Sequence, residues 1–335
     1  MAASRWAKAA PDYRPDSRRA ALVLVALDWG TSNLRAYLMS AEGAVVETRH
    51  AARGILHLPA PGGFEQAFAE IAGDWVRSHP TISVVAGGMV GSAQGWIEAP
   101  YAPAPADVRS LAARGVRVRS GLGPDVLIAP GVIFEPPDRE PDVMRGEEIK
   151  IAGAIAAEPS LGERTRFVLP GTHSKWAFVQ GQRIVSFATY MTGELYAVLC
   201  EHSILGRLMS TESEDAAASA LGFEKGLEAA RASSPGDLGH QLFATRTLGL
   251  TGRLPRNALA DYLSGLLVGH ELVSALAASR TTQEADAPLV LLGDAALCRH
   301  YARALKTFGA PVATRLDDTA PRGLWEFARA AGLPV

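Results

Sequence analysis

The stretch Asp28-Trp29-Gly30-Thr31-Ser32-Asn33-Leu34-Arg35 decides how this chain is read. It follows Ala21 to Leu27, a short, apolar and partly β-branched run of the kind expected in a core strand. Gly30 to Asn33 is turn chemistry, Leu34 to Met39 reads as a second strand, and Ala44 to His50 as a third after the Ser40–Gly43 turn. The same plan returns later. Arg164 to Leu169 is a strand, Pro170-Gly171-Thr172-His173-Ser174 a turn, Lys175 to Val179 a strand, Gln180-Gly181-Gln182 a turn, and Arg183 to Tyr190 a strand. Setting Gly30-Thr31 on Gly171-Thr172 brings Ala36-Tyr37 onto Ala177-Phe178. A repeat of such long period implies two related lobes, not a solenoid.

Between and beyond the meanders the chain alternates. Phe64, Phe68, Ile71 and Trp75 have helical spacing, so 63–78 is expected to be an amphipathic helix. Ile82 to Ala86 reads as a strand that enters a Gly-rich loop, Gly87 to Gly95. Val126 to Ala129 is another strand, followed by a Pro-rich loop over 130–141, and Asp142 is placed to cap a helix through about Ala157. The Glu158–Glu163 connection is the expected boundary between an N-terminal lobe, 21–160, and a C-terminal lobe, 161–335. Helices are expected near 194–209, 214–232 and 257–279, with the run Glu212 to Asp215 as a surface helix start. Leu289 to Leu292 then forms a buried strand, and Gly293-Asp294 turns into a helix carrying Leu297, Tyr301, Leu305 and Phe308 on one face.

Composition limits the function classes. The 335 residues are 48% hydrophobic and 20% charged, which suits a folded two-domain chain with a large core. Lys+Arg number 33 against Asp+Glu 35, so no general basic field serves nucleic acid. Two cysteines, Cys200 and Cys298, match neither a disulfide framework nor a zinc site and fit a reducing cytoplasm. Residues 1–20 read as a disordered polar tail. Arg18-Arg19 precedes an apolar run, but that run ends at Asp28-Trp29-Gly30, not at a small-residue cleavage site, so a strand is expected there in place of an export signal. No stretch reaches about 18 uninterrupted apolar residues, so no membrane partner is expected.

The turn at Gly30 offers backbone N–H groups at close range, which is what a phosphate requires, and Thr31 and Ser32 add hydroxyls. Asp28, at the strand end, suits a hydrated Mg²⁺ beside those phosphates. A strand, not a helix, follows the turn, which argues against a dinucleotide-binding or Walker-type loop. The turn Gly171-Thr172-His173-Ser174 repeats this chemistry without an acid at the matching place. Two such turns on two lobes can hold one polyphosphate between them.

Here the sequence resembles a known superfamily. Asp28-Trp29-Gly30-Thr31, Leu169 to Trp176 and Leu289 to Leu305 resemble, in order, the two phosphate motifs and the adenosine motif of the sugar kinases, actin and chaperone ATPases. More closely, DWGTSNLRAYL, GMVGSAQGW, MRGEE, LPGTHSKW and Arg322-Gly323-Leu324-Trp325 are similar to the 2-dehydro-3-deoxygalactonokinase family, from about residue 21 to the C-terminus. The resemblance implies an α/β, two-lobed actin-like ATPase (ribonuclease H-like) fold with a central cleft. It also implies transfer of phosphate from ATP, with Mg²⁺, to the 6-hydroxyl of 2-dehydro-3-deoxy-D-galactonate. ATP would be held by Gly30, Thr31, Ser32, Gly171, Thr172, His173 and Ser174, with the adenine against Gly293 and Asp294.

In related sugar kinases the base sits in a Gly-Asp-Gln helix start. Arg145-Gly146-Glu147-Glu148 occupies that place, so Glu147 is the expected base, one methylene longer, with Asp28 as the runner-up. First-turn carboxylates favoured by the helix dipole are the plain reading of Glu147 and Glu148. An anionic keto acid with several hydroxyls needs cations and amide donors. Asn33, Arg35, Gly91, Ser92, Gln94, Trp96, Arg145, Thr192 and Glu194 are the candidates to supply them. The Arg114–Arg119 cluster alternates with valines, as an exposed strand face does. The alternatives are a kinase of another sugar or sugar acid, such as the gluconate epimer, and a non-kinase ATPase or phosphatase of the same fold. The sequence does not fix the oligomeric state and is compatible with a homodimer.

Overall fold

The computed structural model describes residues 21–58, 62–210, 215–280 and 284–335. The tail 1–20 and the acidic run at 212–214 therefore lie outside the described residues. In chain order the strands are β1 (Leu22–Trp29), β2 (Leu34–Ser40), β3 (Val45–Ala51), β4 (Ser83–Gly88), β5 (Tyr101–Pro103), β6 (Val116–Arg119), β7 (Asp125–Ile128), β8 (Gly131–Phe134), β9 (Asp142–Met144), β10 (Arg164–Leu169), β11 (Ser174–Gln180), β12 (Arg183–Tyr190), β13 (Leu289–Leu292) and β14 (Val312–Leu316). The helices are α1 (Gly63–Ser78), α2 (Val108–Ala112), α3 (Glu147–Ala157), α4 (Thr192–His202), α5 (Ala216–Arg231), α6 (Leu238–Leu250), α7 (Leu259–Arg280), α8 (Ala295–Thr307) and α9 (Ala320–Ala330).

The repeat read from the sequence is a repeat of sheet topology. The first sheet runs β3-β2-β1-β4-β7-β6 and the second β12-β11-β10-β13-β14. In each, an antiparallel meander is followed by two parallel strands. β1 pairs antiparallel with β2 and parallel with β4, and β10 pairs antiparallel with β11 and parallel with β13. This is the actin-like, ribonuclease H-like plan, present twice. The expected Arg–Val alternation forms β6, antiparallel to β7 at the sheet edge, with the arginines outward.

Both faces of each sheet are covered, which is why β1 and β13 read as continuous apolar runs. On the first sheet Phe68, Ile71 and Trp75 of α1 pack under Val25, Leu27 and Val84. On the second, Leu227, Val268, Leu272, Tyr301 and Leu305 pack on Val168 and Leu291. A further core, with Met39, Val85, Ile149, Leu324, Trp325 and Phe327 on one side and Phe167, Val179 and Ile184 on the other, spans the two lobes.

The last helix, α9, belongs to that shared core. It lies against α3 and β1, so residues 320–330 return to the first sheet although they fall in the stretch expected to form the second lobe. Glycines let the two helices touch. A Cβ on Gly153 would stand 2.1 Å from the Thr319 carbonyl oxygen, and one on Gly323 would stand 1.9 Å from that of Ile149.

One local expectation is corrected. Asp142 does not cap a helix; it opens β9, and α3 begins at Glu147. Its carboxylate instead accepts hydrogen bonds from the Thr189 amide and hydroxyl of β12, both at 2.6 Å. Lys175 of β11 donates to the Val143 carbonyl at 2.9 Å and to the Thr189 hydroxyl at 2.7 Å. These contacts tie β9 to the second meander. The stretch Arg256–Ser279 is long and apolar enough to cross a membrane, but it is mostly buried, in the core of the second lobe.

Candidate active site

A cleft of about 1110 Å³ opens between the two meanders. Its walls are the turns that the sequence singled out: Gly30 and Thr31 from the first lobe, Gly171, Thr172 and His173 from the second, and Gly293 and Asp294 after β13. The carbonyls of Gly30, Thr31 and Ser32 are bonded by the amides of Ile55, Leu56 and Gly54 at 3.1 Å, which fixes the first turn from behind. Among the described residues, the amides of Thr31, Ser32, Gly171, Thr172 and His173 have no acceptor. The second turn is braced by α4. The Glu194 amide donates to the Thr172 carbonyl at 3.0 Å, and the Glu194 carboxylate meets the His173 ring. Unfilled amides on two rigid turns that face one cleft suit phosphate oxygens.

The floor carries the charged groups. Glu147 begins α3 directly after Gly146, whose φ of 106° lets β9 turn sharply into the helix. Glu147 lines the cleft, and its carboxylate accepts from the Arg145 amide at 3.1 Å. Glu148, the next residue, points the other way and is fully buried. One of its oxygens accepts from the Gly146 amide at 2.7 Å, and the other has no partner. Burial, and then the charge of Glu147, pushes the Glu148 carboxyl up to about 8, so it is mostly neutral at pH 7.

Asp28, near the end of β1, is also pushed up from the usual carboxylate range, mainly by burial; Lys150 and Arg35 oppose the shift and Asp318 adds to it. Arg35 is shared, with its Nη1 3.6 Å from Asp28 and 3.5 Å from Asp318. The Tyr37 hydroxyl donates to Asp318 at 2.8 Å, and burial with that carboxylate raises the phenol well above its ordinary range. Asp28, Asp318 and Glu147 are hard oxygen ligands, but among the described residues no group of three acids or histidines forms a metal cage. One or two carboxylates of this kind are what Mg²⁺ takes from a protein when its other ligands are not side chains.

Several expected residues stand elsewhere. Trp96 does not wall the cleft; it packs within 6.1 Å of the rings of Trp29, Phe64 and Phe68, and lies parallel to Phe64. The Trp96 amide bonds to the Val90 carbonyl and the Gly95 amide to that of Ser92, both at 2.8 Å, so the loop folds inward and leaves Gln94 exposed and off the cleft. Ser92 is buried with its hydroxyl unpartnered, and Gly91 backs Arg145. Arg145 does line the cleft. It lies 4.5 Å over the Tyr101 ring and donates to the Ala99 carbonyl at 2.8 Å, while its Nε and Nη1 are buried without partners.

Ser174 is not available to a ligand. It is wholly buried and shares a 2.8 Å hydrogen bond with Tyr301. Asn33 faces a small side pocket with Arg35 and His50, and Ser32 is exposed beside the first turn. Thr192 lines the cleft but spends its hydroxyl on Glu271, a buried carboxylate that also accepts from Trp176 and Tyr301, each at 2.7 Å.

A profile of the 2-keto-3-deoxy-galactonokinase family matches residues 28–327, nearly all of the described chain. The chain belongs to that family. It is 36% identical to the 2-dehydro-3-deoxygalactonokinase of Escherichia coli over 296 residues, covering 88% of this chain and 94% of the relative. It is 34% identical over 308 residues to a Rhizobium meliloti protein provisionally given the same name, covering 91% of this chain and 96% of the relative. A Sinorhizobium meliloti crystal structure, likewise provisionally assigned, superposes with a TM-score of 0.75 at 30% identity, covering 93% of this chain and all of that one.

Within this family member, the cleft-lining residues that the sequence did not single out include Tyr37, Lys150, Asp317 and Asp318. Lys150 had a readable signal, since it stands three residues after Glu147 and so on the same helical face.

Proposed function

We propose that this chain is an ATP-dependent kinase that phosphorylates the 6-hydroxyl of 2-dehydro-3-deoxy-D-galactonate. The observation that carries the reading is the pair of unfilled amide turns facing each other across a cleft whose floor presents Glu147 and Asp28. The turns at 30–32 and 171–173 would hold the phosphates of ATP. Gly293, Asp294 and the start of α8 would take the adenosine end; Asp294 already caps α8 through the amides of Ala296 and Leu297. Asp28 would meet Mg²⁺. When bound, Mg-ATP supplies the activated phosphoryl group.

The sugar acid would sit on the first-lobe side, against Gly88, Met89 and Arg145. The unpartnered Arg145 nitrogens favour an anion there, because a buried guanidinium left short of acceptors is costly. That gives a role for the substrate carboxylate, and Thr192 and Arg35 would shape the far walls. Glu147 would accept the proton of the attacking hydroxyl. Closure of the two lobes would exclude water, which otherwise competes as acceptor. The reactants belong to the cytoplasm, where we place the enzyme.

Release of ADP is measured with and without the sugar acid, in a panel that includes the gluconate epimer. Strong stimulation by 2-dehydro-3-deoxy-galactonate is expected. Equal ATP consumption in its presence and absence would sink the kinase reading in favour of an ATPase or phosphatase.

A homodimer is favoured by one further observation. Met191, Leu195 and Val198 stand exposed at helical spacing along the start and one face of α4, and Ile204 and Phe243 are exposed nearby. Light scattering should report twice the chain mass, and Leu195→Glu with Val198→Glu should return it to one.

A further inference from the structure

Among the described residues, the arginine and lysine side chains that line the cleft are Arg35, Arg145 and Lys150, and the two arginines already have partners. Arg35 is divided between Asp28 and Asp318. Arg145 is held by the Ala99 carbonyl and the Tyr101 ring. Lys150 differs: among the described residues its ammonium has no hydrogen bond or ion pair, although it lines the same cleft. Its backbone is fixed on both sides. The Lys150 amide donates to Gly146 at 3.3 Å, and its carbonyl accepts from the Thr319 hydroxyl at 2.6 Å. The strongest charge acting on Asp28 is that of Lys150, ahead of Asp318 and Arg35. Its charge thus acts at Asp28 without an ion pair between them, and the ammonium is free to meet something else.

We propose that Lys150 is a catalytic residue that contacts the phosphoryl group in transfer. This rests on the kinase reading of the cleft. Lys150 and Glu147 are three residues apart on one helix, so base and cation rise side by side. Arg145 lies before Glu147, on the Gly91 side; Lys150 lies after it, in the same cleft as Asp28, where its charge is felt. The sugar hydroxyl oxygen bonds to the γ-phosphorus, and the bond from that phosphorus to the β–γ bridging oxygen breaks. The bridging oxygen keeps the electron pair on ADP, and the hydroxyl proton passes to Glu147. Throughout, the equatorial oxygens carry negative charge beside Asp28, Asp318 and Glu147. Lys150 offsets that repulsion where the charge moves.

The test uses the purified full chain, wild type first. Sugar-acid-stimulated ADP release in the wild type establishes the underlying reading, and its absence would remove that reading and not merely the role of Lys150. Lys150→Met should lower kcat by about 10²–10³-fold. The KM for the sugar acid and the Kd for a fluorescent ATP analogue should stay within about threefold. Lys150→Arg, which keeps the charge, should recover at least about tenfold of the loss. A kcat loss below about tenfold overturns the proposal. So does a loss that appears in the sugar-acid KM with kcat kept, which would place Lys150 on the substrate carboxylate. Thermal melting accompanies each variant, and Lys150→Gln is read in the same way if the Met variant does not fold.

Discussion

Glutamine in place of Glu148 should make this protein more stable, and increasingly so as pH rises. Glu148 is fully buried at the start of α3, with one oxygen bonded to the Gly146 amide at 2.7 Å and the other without a partner. Burial and the neighbouring Glu147 move its carboxyl from 4.5 to about 8. Below pH 4.5 the group is protonated in both folded and unfolded chains and contributes no pH dependence. Between 4.5 and 8 the folded chain holds a proton that the unfolded chain has lost, so stability falls as pH rises. Above 8 both are ionised and the full penalty stands. At about 1.4 kcal/mol per pH unit, that window amounts to about 5 kcal/mol.

Glu148→Gln is neutral throughout and keeps the acceptor for Gly146. The two proteins should therefore melt together near pH 4.5 and separate steadily to pH 8. At roughly 2 °C per kcal/mol for a chain this long, the separation reaches about 10 °C. The assay is a melting series from pH 4.5 to 9 on both proteins. Parallel curves with a constant offset would refute the reasoning, since they would mean that Glu148 is already ionised in the fold. Glu147→Gln offers a second check, because removing the neighbouring charge should lower the upper edge of the window.

The same Glu147→Gln variant should lose turnover by about 10²–10⁴-fold while binding ATP within a few-fold of wild type, read by ADP release and nucleotide titration. Near-normal turnover would place the base elsewhere. Gly171 lines the cleft with nothing within 4 Å of a Cβ, so Gly171→Val should leave the melting temperature within about 2 °C yet raise the KM for ATP at least about tenfold by filling phosphate space. Gly193→Ala should do the opposite to the fold: its Cβ would stand 2.5 Å from the Gly171 carbonyl oxygen, so both the melting temperature and ATP affinity should drop. Arg145→Met should raise the KM for the sugar acid by about 10²-fold with little change for ATP, and a rise confined to ATP would reassign that cation.

The fold was legible because its signals are local. An apolar run that ends in a Gly-Thr turn makes a strand and a turn wherever it occurs, and here it occurs twice, at Leu22–Trp29 and at Arg164–Leu169. The two Gly-Thr turns that line the cleft were legible for the same reason. The sugar-acid side was less so. A tryptophan beside a glycine loop carries no sign of which way it faces, and two backbone hydrogen bonds turn Trp96 inward, toward Phe64 and Phe68. Asp142 matches a helix cap by type and spacing, yet Thr189, 47 residues later, takes its carboxylate. Asp318 meets Arg35 across 283 residues, a pairing made by the return of the chain at α9 and β14 and by nothing near either residue.

Charge composition misleads for a related reason. Counted over the whole chain, 33 basic and 35 acidic side chains give no net field for gripping a polyphosphate and a carboxylate together. The cleft floor deepens the difficulty, since Asp28, Asp318 and Glu147 face it and Arg35 is already divided between two of them. On the kinase reading, the positive potential would come from groups that a residue count omits. Amide N–H groups on the two turns carry partial charge fixed in direction, and the start of α3 adds the positive end of a helix beside Glu147. A buried Glu148 that stays neutral keeps a further negative charge out of that same helix start. On the proposed reading, the cleft would favour anions at its turns while retaining carboxylates for proton and metal chemistry. A surface of excess lysine could do the first and would compromise the second, because it would hold those carboxylates in ion pairs.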